Sequence, residues 1–184
     1  MKKSTLYDKN LRSKREVSDT AFYFLFSEIV QYCIKKDRNN LEKQLEELGY
    51  PLGGRFLELI TFRDKSCKKE IEIEEMLISI SKQMWPVMFG KHVSSLEQHT
   101  TLKHIYMIKE DNSVCNKFAC LPKGQKGVNC SAFTAGIVEG MLNAAGFASR
   151  VYAVYDGDDK GDSCEKTTYV IHFAPEIVER KKLG

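Results

Sequence analysis

From residue 21 to 34 the apolar positions recur at helical spacing. Set out at about 100° per residue, Phe22, Tyr23, Leu25, Phe26, Ile29, Val30, Tyr32, Cys33 and Ile34 fall in one arc of roughly 200°. Glu28, Gln31 and Lys35 lie opposite, with Phe24 among them. Ser18 stands where an N-cap belongs and Asp19 in the first turn, so a first helix opens there. A surface helix needs only about 100° of apolar face to meet its own core. This one carries about twice that, which predicts core on one side and a partner on the other, through Phe22, Tyr23, Leu25, Phe26, Ile29, Val30 and Ile34. A helix sunk deep in its own domain is the alternative, and spacing alone does not say which residues face which way.

Asn39 or Asn40 is the expected cap of a second helix, in which Leu41, Leu45 and Leu48 repeat at i, i+4 and i+7 and Gly49 supplies a left-handed stop. Pro51 suits the first position of a third helix over 51–61, with Leu52, Phe56, Leu59 and Ile60 inward. Beyond a charged loop at 63–69, Ile73, Met76, Leu77, Ile80 and Met84 define a fourth helix that Trp85-Pro86 disturbs near its end. From Val93 the period changes. Ile105-Tyr106-Met107-Ile108 and Lys117-Phe118-Ala119-Cys120-Leu121 are strand candidates, separated by the turn composition Asp111-Asn112-Ser113. A fifth helix over 130–145, capped by Asn129 and stopped by Gly146, precedes strands 150–155 and 166–173, which should pair antiparallel. Helices first, then strands split by a helix, mean α+β. Residues 1–16 have no apolar period and read as a flexible basic arm, leaving 17–184 as a single domain.

Composition narrows the function. With 42% hydrophobic and 29% charged residues the chain is an ordinary globular one. Its net charge of +3 is dispersed, as in Lys35-Lys36-Asp37-Arg38, which gives a solvated surface rather than a nucleic-acid stripe. The basic ends, Lys2, Lys3, Lys9, Arg12, Lys14, Arg15 and then Arg180, Lys181, Lys182, could touch acidic lipid or an acidic partner, but a solubilising role is the preferred reading. Six cysteines without a C-x-x-C pair read as reduced thiols of a cytoplasmic protein. No run approaches the roughly 18 apolar residues of a span, so membrane contact would be peripheral.

Candidate chemistry centres on the fifth helix. A thiol at its start, Cys130, meets the positive end of the dipole, and His172 on the last strand would be the natural base of a papain-like cysteine hydrolase. Strand alternation does not say which way His172 points, and no oxyanion donor or third orienting group is identifiable. A buried structural thiol is the commoner outcome, and the reading adopted is that the chain is not an enzyme and needs no cofactor. Ala132, Gly136, Gly140 and Ala144 recur every four residues and make a smooth groove. Two mid-helix glycines cost roughly 1 kcal/mol each, which makes sense where the domain's own sheet or a neighbouring helix approaches closely. The acidic loop 156–165 fails as a calcium loop, since Lys160 occupies a ligand position and Thr167 stands where a glutamate belongs. The four histidines lack metal spacing.

Three stretches resemble a known family. Leu48-Gly49-Tyr50-Pro51-Leu52-Gly53-Gly54-Arg55 looks like an L-G-x-x-x-G-x-R turn, Phe89-Gly90-Lys91 like the end of the next helix, and residues 129–139 are nearly N-C-A-S-F-T-A-G-I-V-E. These are similar to the small subunits of the transport protein particle (TRAPP). The resemblance implies a twisted antiparallel sheet of about four strands backed by helices, with the N-terminal helices as a dimerisation layer. It gives structural roles to Gly49, Gly53, Arg55, Phe89, Gly90, Asn129, Cys130, Phe133, Gly136 and Gly140. It further implies heterodimers with other TRAPP small subunits through the first helices, or a homodimer in isolation. Through the assembled vesicle-tethering complex the partner would be a Rab-family GTPase, whose nucleotide exchange serves ER-to-Golgi transport at cis-Golgi membranes. Related subunits carry an acyl chain on a cysteine; Cys67 lies in the corresponding region, crowded by Lys65, Lys68 and Lys69.

Overall fold

The computed structural model describes residues 18–63, 71–117, 128–155 and 166–180. The expected arm 1–16, Cys67 with its lysines, residues 118–121 of one expected strand and the acidic loop 156–165 lie outside the described residues.

Helix α1 spans Asp19–Lys36. A single turn of tighter helix, Arg38–Asn40, leads into α2, Leu41–Arg63. The cap between them is Asp37, not Asn39 or Asn40: its carboxylate accepts from the Asn39 backbone at 3.0 Å and the Asn40 side chain at 2.6 Å. Those bonds, the Asn40 one foremost, hold the Asp37 carboxyl below the usual carboxylate range.

The expected second and third helices are one. Gly49 does not stop α2, and Pro51 sits inside it. Pro51 is exposed, so the Glu47 carbonyl it leaves without an N–H faces water, where the loss is mild. The buried face supplies the reason for continuity. Gly49 and Gly53 of α2 meet Gly136 and Gly140 of α5, Ala132–Ala144, at a crossing where the two backbones touch. A methyl at Gly49 would fall on the Phe133 carbonyl oxygen, at Gly53 on that of Ile137, at Gly136 on that of Glu46 and at Gly140 on that of Tyr50. Packing across the apparent break outweighs the local stop signal.

Helix α3, Ile73–Ser79, runs through a wide π turn, Ile80–Met84, into α4, Trp85–Phe89. The wide turn stands just before Pro86, which cannot donate to the turn preceding it. Gly90 then ends α4 in the left-handed region at φ 69°.

The sheet holds β1 (Ser95–Gln98), β2 (Ile105–Asp111), β3 (Ser149–Tyr155) and β4 (Lys166–Phe173) in the order β1-β2-β4-β3, all antiparallel. Tyr106, Ile108, Val151, Tyr169 and Ile171 alternate onto the core face. Helix α5, every residue of which is buried from Ala132 to Leu142, lies between that face and α2. It starts two residues later than expected: Asn129 accepts from the Ser131 backbone at 3.0 Å ahead of it. It stops at Gly146, where Phe147 donates to Leu142 at 2.8 Å and Gly146 to Asn143 at 3.1 Å. Val114 to Lys117 form a turn rather than the start of a strand. A short α6, Pro175–Arg180, packs Ile177 into the core.

Candidate functional site

Cys130 and His172 are not brought together. The Cys130 thiol is buried on the core side of the sheet. On β4 the inward positions are Tyr169, Ile171 and Phe173, which turns His172 to the opposite face. There its Nε2 stands 2.8 Å from the Tyr152 hydroxyl, with the two rings stacked at 5.4 Å. The geometry thus overturns the hydrolase alternative built on that pair, and no group of three metal-ligating side chains occurs among the described residues. No helix of the described residues is long and apolar enough to cross a membrane.

What the described residues do offer is an uncovered apolar face. The arc on α1 divides in two. Phe26, Val30 and Cys33 are buried, Phe26 meeting the Phe133 ring of α5 at 5.4 Å and stacking on Phe22 at 5.7 Å. Phe26 and Val30 therefore belong to this chain's own core and not to a free interface, a correction that follows because either half of a 200° arc can face inward. Phe22, Tyr23, Ile29 and Ile34 are half-buried, whereas Leu25 and Tyr32 remain 62% and 64% exposed. On α2, Leu48, Leu59 and Phe62 are exposed and Leu52 half-buried. Between the two helices lies an open groove of about 510 Å³ lined by Glu28, Ile29, Tyr32, Leu48, Leu52 and Phe133. Ile29 and Tyr32 line one wall, and Leu25 extends their row along α1 at i, i+4 and i+7, a spacing that suits a third helix laid in the groove.

The remaining motif residues hold this face in place. Beyond the glycine crossing, Glu42 at the start of α2 accepts from the Asn129 backbone at 2.7 Å. Arg150 of β3 reaches Glu46 of α2 at 2.6 Å and Glu139 of α5 at 3.1 Å, tying three elements at one edge. Burial raises the Glu46 carboxyl although Arg150 pulls the other way. At the far end, Lys91 of the Phe89-Gly90-Lys91 motif pairs with buried Glu110 at 3.0 Å. Tyr169 donates to the other oxygen of Glu110 at 2.7 Å, and Trp85 to the first at 3.3 Å. Burial, with the charge of Glu110 beside it, pushes the Tyr169 phenol well above its ordinary value. Phe89 packs on Trp85 at 5.1 Å. Arg55 is the exception among the residues given structural roles: it is exposed on α2 and makes no hydrogen bond or ion pair among the described residues.

Residues 22–174 match the family model described as "Transport protein particle (TRAPP) component". The chain is 42% identical over 171 residues to trafficking protein particle complex subunit 5 of Dictyostelium discoideum, covering 92% of this chain and 91% of that one. It is 33% identical over 183 residues to subunit 5 of Homo sapiens, covering 98% and 93%. Among solved structures, a trafficking protein particle complex subunit 3 from Naegleria fowleri, covalently bound to palmitic acid, shares the fold with a TM-score of 0.69 at 20% identity, over 85% of this chain and 95% of that one. With the family's pattern running from the first turns of α1 to the residue after β4, and relatives matched over nearly their whole length, this chain belongs to the TRAPP component family.

Proposed function

We propose that this chain is a non-catalytic structural subunit of a TRAPP complex, docking through the α1–α2 groove onto a sister small subunit. The observation that carries the reading is the apolar face on which Leu25, Tyr32 and Leu48 are exposed and Ile29 and Leu52 only half-covered by the chain's own fold. Monomeric proteins rarely leave so continuous an apolar surface in water, and interfaces of this kind bury about 800 Å² per partner. The relatives are named as subunits of a trafficking protein particle complex, which supports sister subunits as the occupants. In the assembled vesicle-tethering complex the chain contributes to a composite surface that promotes nucleotide exchange on a Rab-family GTPase in ER-to-Golgi transport. Exchange of this kind works by preferring the nucleotide-free shape, a differential binding effect that needs a surface rather than a catalytic constellation.

The test compares outward and inward apolar positions. Leu52→Asp and Tyr32→Asp are expected to keep the circular dichroism of the wild type and to shift the sedimentation of the co-expressed subunit pair. Phe26→Asp, by contrast, should unfold the chain, because it buries a charge beside Phe133. Unchanged assembly of the Leu52→Asp/Tyr32→Asp double variant overturns the docking reading. The isolated chain is expected to release GTPase-bound nucleotide no faster than background.

A further inference from the structure

The outward stripe of α2 is apolar except at one position. At about 100° per residue, Leu48, Leu52, Leu59 and Phe62 fall within an arc of roughly 80°, and Arg55 falls inside it, seven residues after Leu48 and four before Leu59. Its guanidinium is exposed and makes no ion pair among the described residues, not even with Glu58 three residues along the same helix. A cation placed for solubility belongs on the polar side of such a helix, where Glu47 and Glu58 lie.

We propose that Arg55 is the specificity contact of the docking surface, and that the surface fits a different chain whose docking helix carries an Asp or Glu opposite it. This rests on the docking reading above. Any helix that covers Leu52 and Leu59 takes the guanidinium out of water, and a desolvated cation without a partner strongly opposes association. A carboxylate satisfies the planar fork with two parallel hydrogen bonds, which neither an amide nor a hydroxyl provides. A second copy is the poorer occupant. A twofold contact centred on this stripe sets one Arg55 against the other, so the same side chain that admits an acidic partner repels an identical one.

The chain is tested beside each TRAPP small subunit of the same cell, co-expressed pairwise, with affinities measured on purified pairs. Arg55→Glu is expected to leave circular dichroism unchanged and to weaken the native pair by roughly 100-fold, the scale seen when a desolvated charge pair loses one member. Reversing one acid to Lys in the partner's docking helix should restore most of that loss. Leu52→Asp serves as the control on the docking reading. If Leu52→Asp disrupts the pair while Arg55→Glu changes its affinity by less than about threefold, the docking surface stands and the role of Arg55 falls. If neither variant matters, the docking reading falls first. Alone, the wild-type chain should be monomeric at micromolar concentration and Arg55→Leu should self-associate. A wild-type homodimer that Arg55→Glu breaks and that adding Glu28→Lys, at the groove wall, restores would overturn the choice of a different chain.

Discussion

Gly140→Ala is expected to destabilise the chain although alanine is the better helix former. On an open helix the change would gain roughly 1 kcal/mol from propensity. Here the added methyl falls on the carbonyl oxygen of Tyr50, with the Gly53 Cα 3.3 Å away, and both neighbours are backbone that cannot rotate aside. The helices α2 and α5 must part, and an opening of roughly 1 Å forfeits a quarter to a half of every dispersion contact it stretches. Overpacking of this kind costs about 1–3 kcal/mol in ordinary cores, and backbone against backbone belongs at the upper end. The net expectation is a loss of about 2 kcal/mol, a fall of roughly 5 °C in Tm for a chain of this size. Gly54→Ala is the internal control. Its methyl would meet the Ala144 Cβ at 3.6 Å, an ordinary contact, so it should gain about 0.5–1 kcal/mol. Urea unfolding followed by circular dichroism separates the two, provided the m-value is unchanged. Combining Gly140→Ala with Gly136→Ala should cost less than the sum, because the first methyl has already separated the helices. If Gly140→Ala stabilises as Gly54→Ala does, the two backbones are not in contact and this account of the crossing is wrong.

Stability should fall on the alkaline side. Burial pushes the Cys115 thiol from the ordinary 9.0 up to about 12, so its contribution is complete below pH 9 and is lost at about 1.4 kcal/mol per pH unit as pH rises towards 12. Tyr169, also raised, adds to the slope above pH 10. Urea midpoints measured from about pH 8 to 11 should show a shallower fall for Cys115→Ala below pH 10, and equal slopes would contradict the assignment. Cys33, Cys115 and Cys130 are buried and should react slowly with iodoacetamide until the protein is denatured; fast labelling of native Cys130 near neutral pH would revive the hydrolase reading. Intact mass before and after hydroxylamine should show no palmitate-sized loss, since Lys65, Lys68 and Lys69 crowd Cys67 in sequence.

The helical half of the fold was legible because its apolar spacing is regular, and the errors fall where two signals competed. Gly49 and Pro51 are both stop signals in isolation. They fail here because Gly49 and Gly53 are held against α5, a contact between segments about 90 residues apart that no local pattern encodes. The groove of Gly136 and Gly140 was visible in the sequence for the opposite reason: glycine every four residues inside a helix needs a close neighbour, though not which one. β1 was missed because Leu96 is its single apolar residue and an edge strand of four residues has no period to read. His172 was undecided until Tyr169 and Ile171 were seen to pack inward, which fixes its side of the sheet. On α1 the width of the arc announced two faces, and only the position of Phe133 decided that Phe26 and Val30 take the inner one.

The segment from Leu48 to Arg55 serves both the α5 crossing and the open outer face in eight residues. Gly49 and Gly53 point into the α5 crossing, while Leu48 and Arg55, each a residue or two away around the helix, point outward, with Leu52 at the groove wall. Phe133 belongs to both sides: its carbonyl receives the backbone of Gly49, and the residue lines the groove between α1 and α2. The depth of the groove is therefore set by how closely α2 approaches α5, and that distance is set by the absence of four side chains. A methyl on the inner face would lift Leu48 and Leu52 relative to Ile29 and Tyr32, reshaping the outer face without touching it. A longer side chain at any of the four glycines should thus act on the fold and on the proposed docking together, whereas a change at Arg55 should act on docking alone. That difference separates the two kinds of residue within one motif: the glycines fix where the surface stands, and in the proposed docking the leucines and arginine fix what it accepts.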